Sequence, residues 1–139
     1  MNLCIGALDD DCGILYTLEA MASSQGWKML TTLDPETCLG WVRNDEVDLL
    51  LLDYHMPAAN GLEVLRKVRD LSAGIPVLVL TVEERPDVAR ELLLNGADDF
   101  INKPVRLADF AARINLHRRL ARSRKDLNWE HNRKGISRE

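Results

Sequence analysis

The sequence predicts an α/β fold, a doubly wound parallel sheet with helices on both faces. Three observations lead there. Short apolar runs alternate with helical patterns five times along the 139 residues. The runs LCIGAL, VDLLLL (but for Asp48) and PVLVL are apolar rather than alternating, as strands covered on both faces are. A helical segment follows each run, the connection that a parallel strand pair requires.

Each element has its own signal. Leu3 to Leu8 is a short apolar strand. Cys12 to Gln25 carries Ile14, Leu15, Leu18, Met21 and Ala22 at helical spacing, and Gly26 stops it. Lys28 to Thr32 is a weaker second strand. Asp34-Pro35-Glu36 opens a helix with proline in its first turn, running to about Asn44. Val47 to Leu52 is the third strand, Asn60-Gly61 a turn, and Leu62 to Leu71 a helix. Pro76 to Leu80 is the fourth strand. The helix from Pro86 to Asn95 is closed by Gly96. Phe100-Ile101 is a short fifth strand, and Val105 to about Leu127 a long last helix.

Composition is that of an ordinary globular domain, 46% apolar and 29% charged. The longest apolar run, Ile75 to Val82, contains a proline and is too short to span a bilayer. The N-terminus has no basic region or cleavage site, so no signal peptide is expected. Cys4, Cys12 and Cys38 are odd in number and lack C-x-x-C spacing; they read as reduced thiols of a cytoplasmic protein. The net charge of −4 is unevenly spread. Residues 113–139 carry nine Lys/Arg against three acids, +6, which leaves −10 on the rest. Such a tail reads as a solvated helix end running into a linker, or as a segment that touches nucleic acid. Its lone aromatic, Trp129, and the lack of a reading motif favour the first.

Right-handed crossovers bring every strand's C-terminal end to one edge, where open α/β sheets bind ligands. Asp9-Asp10-Asp11 ends the first strand, Asp53 the third and Thr81 the fourth; Lys103-Pro104 follows the fifth. Carboxylates gathered there repel unless protonated or bound to a cation. A hard divalent ion relieves this, and Mg²⁺ suits a few carboxylates, water and phosphate oxygens. Taken singly, each residue has a plainer reading. The aspartates of 9–11 can cap a helix, Asp11 above all, and Asp53 can cap a turn. Thr81 can be an ordinary strand end and Phe100 core. Together they point to a metal and phosphoryl site. His55, His117 and His131 do not cluster and read as surface or packing residues.

LDDD at 8–11, LLLLDYHMP at 49–57, NG at 60–61, VLVLT at 77–81 and GADDFINKP at 96–104 resemble the receiver domain of bacterial two-component response regulators. The likeness covers roughly residues 2–120 and implies a flavodoxin-like (βα)5 sheet of order 2-1-3-4-5. It implies that Asp53 is phosphorylated by a sensor histidine kinase. Asp9, Asp10, Asp53 and the His55 backbone carbonyl would hold Mg²⁺. Lys103 and Thr81 would contact the phosphoryl group, and Phe100 would change rotamer with it. Val82, where the family has a small residue, would crowd the site; His55 and Glu83 would tune the lifetime of the phosphorylated form.

The stretch KPVRLADFAARINLHRRL most resembles receivers that precede a winged-helix DNA-binding domain. The division expected is a receiver over 1–122 and a basic helix end or linker over 123–139. DNA would be reached only through an output domain not present in these 139 residues, and the chain would be a fragment of a longer regulator or a single-domain regulator. That class also implies a homodimer on phosphorylation, with Asp99, Asp109, Arg113 and Arg119 forming acid–base pairs across it. Ala89, with Arg90 beside it, stands where a basic residue is expected. No membrane partner is implied, and no turnover beyond the domain's own phosphoryl transfer and dephosphorylation.

Two alternatives stand beside this. A Mg²⁺-dependent aspartyl-phosphate hydrolase would carry D-x-D after its first strand; here position 55 is His, and the candidate nucleophile ends the third. A nucleotide- or flavin-binding sheet would need a glycine-rich first loop where this one is acidic.

Overall fold

The computed structural model describes residues 2–56, 60–82 and 85–133, with side chains as far as Ala121. Five strands form one parallel sheet, β1 (Cys4–Leu8), β2 (Lys28–Thr32), β3 (Leu49–Asp53), β4 (Val77–Thr81) and β5 (Asp99–Asn102). Their order is β2-β1-β3-β4-β5. A helix follows each strand: α1 (Cys12–Ser24), α2 (Pro35–Arg43), α3 (Gly61–Leu71), α4 (Pro86–Leu94) and α5 (Leu107–Arg133).

The all-apolar strands do what the sequence predicts of them. Leu50, Leu52, Val77 and Val79 point to one face, under α2, α3 and α4; Leu49, Leu51, Leu78 and Leu80 point to the other, under α1 and α5. Leu49 to Leu52 are all fully buried, each contributing about 1.5–3 kcal/mol. The outer strands β2 and β5 are only partly buried, which is why their signals are weaker.

Several boundaries differ from expectation, some for a visible local reason. The third strand starts at Leu49, not Val47, because the Asp48 carboxylate and amide engage Cys4 N and O (2.9 and 2.7 Å) just ahead of the ladder. It extends to Asp53, which pairs with Leu80, and β4 likewise extends to Thr81, paired with Asn102. Asn60-Gly61 is no free turn. Asn60 caps α3, its side chain accepting from Leu62 N at 2.8 Å, and Gly61 is the first helical residue. A Cβ on Gly61 would lie 2.5 Å from the Asp53 carbonyl oxygen, so only glycine lets α3 start this close to β3. α5 continues as helix across residues 122–123, where the domain division is expected, and reaches Arg133. Among the described residues no helix is long and apolar enough to cross a membrane.

Candidate functional site

The C-terminal edge of β1, β3, β4 and β5 gathers the residues singled out from sequence. Asp9 follows β1 and is fully buried. Its amide donates to Thr32 O (3.3 Å), and its Oδ1 accepts from Asp11 N (3.0 Å). Asp53, at the end of β3, is 1% exposed. Its Oδ1 accepts from His55 N (3.2 Å) and from Lys103 Nζ (2.9 Å). Lys103 leaves β5 with its amide bonded to Thr81 O at 2.9 Å, which ties it to the end of β4. Its ammonium lies 3.1 Å from Asp9 Oδ2, an ion-pair contact without hydrogen-bond alignment.

Asp10 is exposed beside them, and one carboxylate oxygen from each of Asp9, Asp10 and Asp53 lies within 4.8 Å of the others. Three carboxylates against one ammonium leave two negative charges uncompensated when all are ionised. The Oδ2 atoms of Asp9 and Asp53 are buried without a hydrogen-bond partner. Orphaned buried oxygens of this kind cost free energy unless a ligand takes them. An all-oxygen donor set with this charge suits a hard divalent cation. Burial pushes the Asp9 carboxyl up to about 6, against the pull of the Asp11 amide and Lys103. Burial also works against the Lys103 ammonium, but the two carboxylates outweigh it and hold its pKa above the ordinary lysine value.

Asp11 stands apart from the cluster and caps α1, accepting from Gly13 N (2.8 Å) and Ile14 N (3.3 Å). Thr81 is buried at the end of β4. Phe100 is half-buried against the α2–α4 side of the core. The His55 side chain is exposed, with the Tyr54 ring edge-on at 4.6 Å. Val82 is 59% exposed. It lines a cleft of about 470 Å³ with Ile14, Thr17, Lys103, Pro104 and Val105, between α1 and the segment after β5. Glu83 lies outside the described residues.

Three of the four charged residues expected at a dimer surface, Asp99, Asp109 and Arg113, are already engaged within the chain. Arg113 reaches Asp99 Oδ1 and Asp109 Oδ1, both at 2.7 Å. Asp99 Oδ2 meets Nε2 of His117 at 2.9 Å, and Asp99 Oδ1 accepts from Phe100 N at 2.8 Å. Burial opposes ionisation of Asp99, yet the bonds to His117, the Phe100 amide and Arg113 prevail and hold its carboxyl below the usual range. Arg119 is exposed. The buried His117 is a packing residue with a specific partner, which no local sequence signal could reveal. Arg69 was equally silent in sequence: it spends its guanidinium on the turns at the opposite, N-terminal edge of β4 and β5.

Known proteins resemble this chain in sequence and in fold. Residues 5–115 match the response regulator receiver domain family. The chain is 36% identical over 108 residues to the response regulator MprA of Mycobacterium leprae, covering 78% of this chain and 47% of that protein. It is 31% identical over 107 residues to the cell cycle transcriptional regulator CtrA of Caulobacter vibrioides, covering 77% and 46%. It thus spans about half the length of these relatives. In fold it is similar to a CheY-like receiver domain protein from Methanospirillum hungatei (TM-score 0.82, 24% identity, 89% of this chain and 99% of that one). It is similar also to the signal receiver domain of a LuxO repressor protein from Vibrio parahaemolyticus (TM-score 0.84, 17% identity, 91% and 98%). The chain therefore belongs to the response regulator receiver domains.

Proposed function

We propose that Asp53 is the phosphoryl acceptor of this domain and that a sensor histidine kinase is its donor. The observation that carries the reading is the buried carboxylate pair of Asp9 and Asp53, each with one oxygen lacking a hydrogen-bond partner, and each reached by the Lys103 ammonium, at 3.1 Å from Asp9 Oδ2 and 2.9 Å from Asp53 Oδ1. In the reaction an Asp53 carboxylate oxygen attacks the phosphorus of a phosphohistidine. The P–N bond breaks, the P–O bond forms, and the imidazole leaves with a proton. The product is an acyl phosphate, which water later cleaves to phosphate and the free carboxylate, so the signal ends.

Asp9, Asp10, Asp53 and the His55 carbonyl would hold Mg²⁺, which neutralises the phosphoryl oxygens when bound. Lys103 moves its charge from the Asp53 carboxylate to the new phosphoryl group, and the Thr81 hydroxyl donates to it. Phe100 follows Thr81, a two-state change of the kind that phosphorylation biases. Val82 and the side chains of His55 and Glu83 set access to the phosphoryl group and so its lifetime. The domain catalyses only its own labelling and loss, in the cytoplasm. Residues 1–122 form the receiver and 123–139 a basic tail. The output is transcriptional through a DNA-binding domain of a longer protein, and the phosphorylated form pairs through α4, β5 and α5.

Acetyl phosphate or a cognate kinase with Mg²⁺ should add one phosphoryl group per chain, and Asp53→Asn should abolish it, by intact-mass spectrometry. Labelling that survives Asp53→Asn overturns the assignment. Multiple turnover of a generic phosphate ester would favour the hydrolase instead.

A further inference from the structure

Asp99 is the β5 acid of the dimer surface proposed above, and most of it is already occupied within its own chain. A carboxylate has about four acceptor positions. Phe100 N (2.8 Å) and Arg113 Nη1 (2.7 Å) fill both on Oδ1, and Nε2 of His117 lies 2.9 Å from Oδ2. Only 19% of the Asp99 side chain is exposed. Arg113 is less committed. It bonds Asp99 through Nη1 and Asp109 through Nε, its Nη2 has no partner among the described residues, and 37% of its side chain is exposed. An arginine pairs best with both oxygens of a carboxylate at once. With Oδ1 filled and Oδ2 held by His117, the fork of a partner's Arg113 meets at most one open position.

His117 is the contact that closes Asp99 off. It stands one helical turn after Arg113 on α5, is only 6% exposed, and its Nδ1 is buried without a hydrogen-bond partner. A proton on Nδ1 would have no acceptor there, and an unpaired buried donor is costly. The neutral ring therefore carries its proton on Nε2 and donates it to Asp99 Oδ2. The protonated ring donates from Nε2 as well, so the bond exists in either form. A ring buried this deeply does not swing aside to release it. We propose that His117 is an internal competitor for Asp99, an autoinhibitory contact that withholds this carboxylate from the partner's Arg113 and weakens self-pairing. The inference rests on the dimer through α4, β5 and α5 proposed above and names the residue that limits it. Because a two-fold axis repeats every contact, one histidine restrains two pairs.

His117→Leu tests this, since it removes the donor and fills the ring's place with an apolar side chain of similar size. In sedimentation of the full chain with beryllofluoride and Mg²⁺, the variant should dimerise about tenfold more tightly than wild type. Adding Asp99→Asn to His117→Leu should abolish the gain, because the released charge is gone. A leucine acting through new apolar contact would keep it. Should His117→Leu not fold, His117→Met, more adaptable in a packed site, makes the same comparison. A dimeric wild type that His117→Leu does not exceed overturns the competitor and leaves the dimer reading intact. A gain that survives Asp99→Asn overturns it too. If Asp53 is labelled yet wild type and every variant stay monomeric at high concentration, the dimer through α4, β5 and α5 is overturned and the competitor with it.

Discussion

Asp9 and Asp11 stand two positions apart and do opposite work. Asp11 is exposed, caps α1 and stabilises the chain. Asp9 is buried with one oxygen that lacks a hydrogen-bond partner, and burying its charge costs free energy in the metal-free fold. Asp9→Asn should therefore raise metal-free stability while Mg²⁺ affinity falls, the usual exchange of stability for function at a charged site. Asp11→Ala should cost about 1 kcal/mol, as lost N-caps do, and leave Mg²⁺ affinity unchanged. The pH dependence separates them further. Burial raises the Asp9 carboxyl from 3.8 to about 6, so its favourable contribution is full below pH 3.8 and is lost as pH rises through about 6. Urea titrations across that window without metal should show stability falling with pH in wild type and a flatter profile in Asp9→Asn. Equal Mg²⁺ losses at positions 9 and 11 would mean that the cap and the ligand have been confused.

At the scale of elements, most of the fold was legible because it rests on short-range pattern. Apolar runs, the Asp34-Pro35 start, the Asp11 cap and the Gly26 and Gly96 stops are all local signals, and the structure keeps each. That Asp9, Asp10 and Asp53 gather at one edge was legible for the same reason, since a parallel sheet sends all strand ends there. What local pattern could not show are groups that meet only after folding. Arg69 and Asp98 are 29 residues apart, and Asp99 and His117 are 18. Asn60-Gly61 misled because glycine's need there is a close approach to β3, not a turn. The Asp99 contacts fasten β5 to α5 and carry a prediction. Asp99→Asn removes the charge that holds Arg113 and His117, and should cost about 1–3 kcal/mol at pH 7, as broken charged hydrogen bonds do. Because the folded pKa of Asp99 is lowered, its contribution is present above the unfolded carboxylate value and is lost as pH falls through the folded one. The gap between wild type and variant should thus close on acidification, measured by urea denaturation. A gap that is constant with pH would assign Asp99 a packing role only.

For the whole molecule, the dimer proposed above has to form although Arg113 is already paired within its own chain. Arg113 is held by Asp99 and Asp109 of its own chain, so any pair made across a two-fold axis competes with one made within the chain. Exposed pairs are worth about 0–1 kcal/mol each, so exchanging one for another changes affinity little and mainly sets register. The attraction has to come from apolar surface, and α4 and α5 offer Leu93, Leu94, Leu116 and Leu120, all exposed. Their burial is worth about 25 cal/mol per Å², and a two-fold interface counts every contact twice. Light scattering should find wild type monomeric alone and dimeric with beryllofluoride and Mg²⁺. Arg113→Glu sets a third acid against Asp99 and Asp109 and should weaken the dimer by at least about tenfold, a cost of roughly 1.4 kcal/mol shared between two symmetric sites. Leu94→Glu should do the same without touching the pairs, and because Leu94 is exposed it should leave the fold unchanged. A wild type that stays monomeric at high concentration, or variants that pair as well as it does, would send the output of this receiver through another surface.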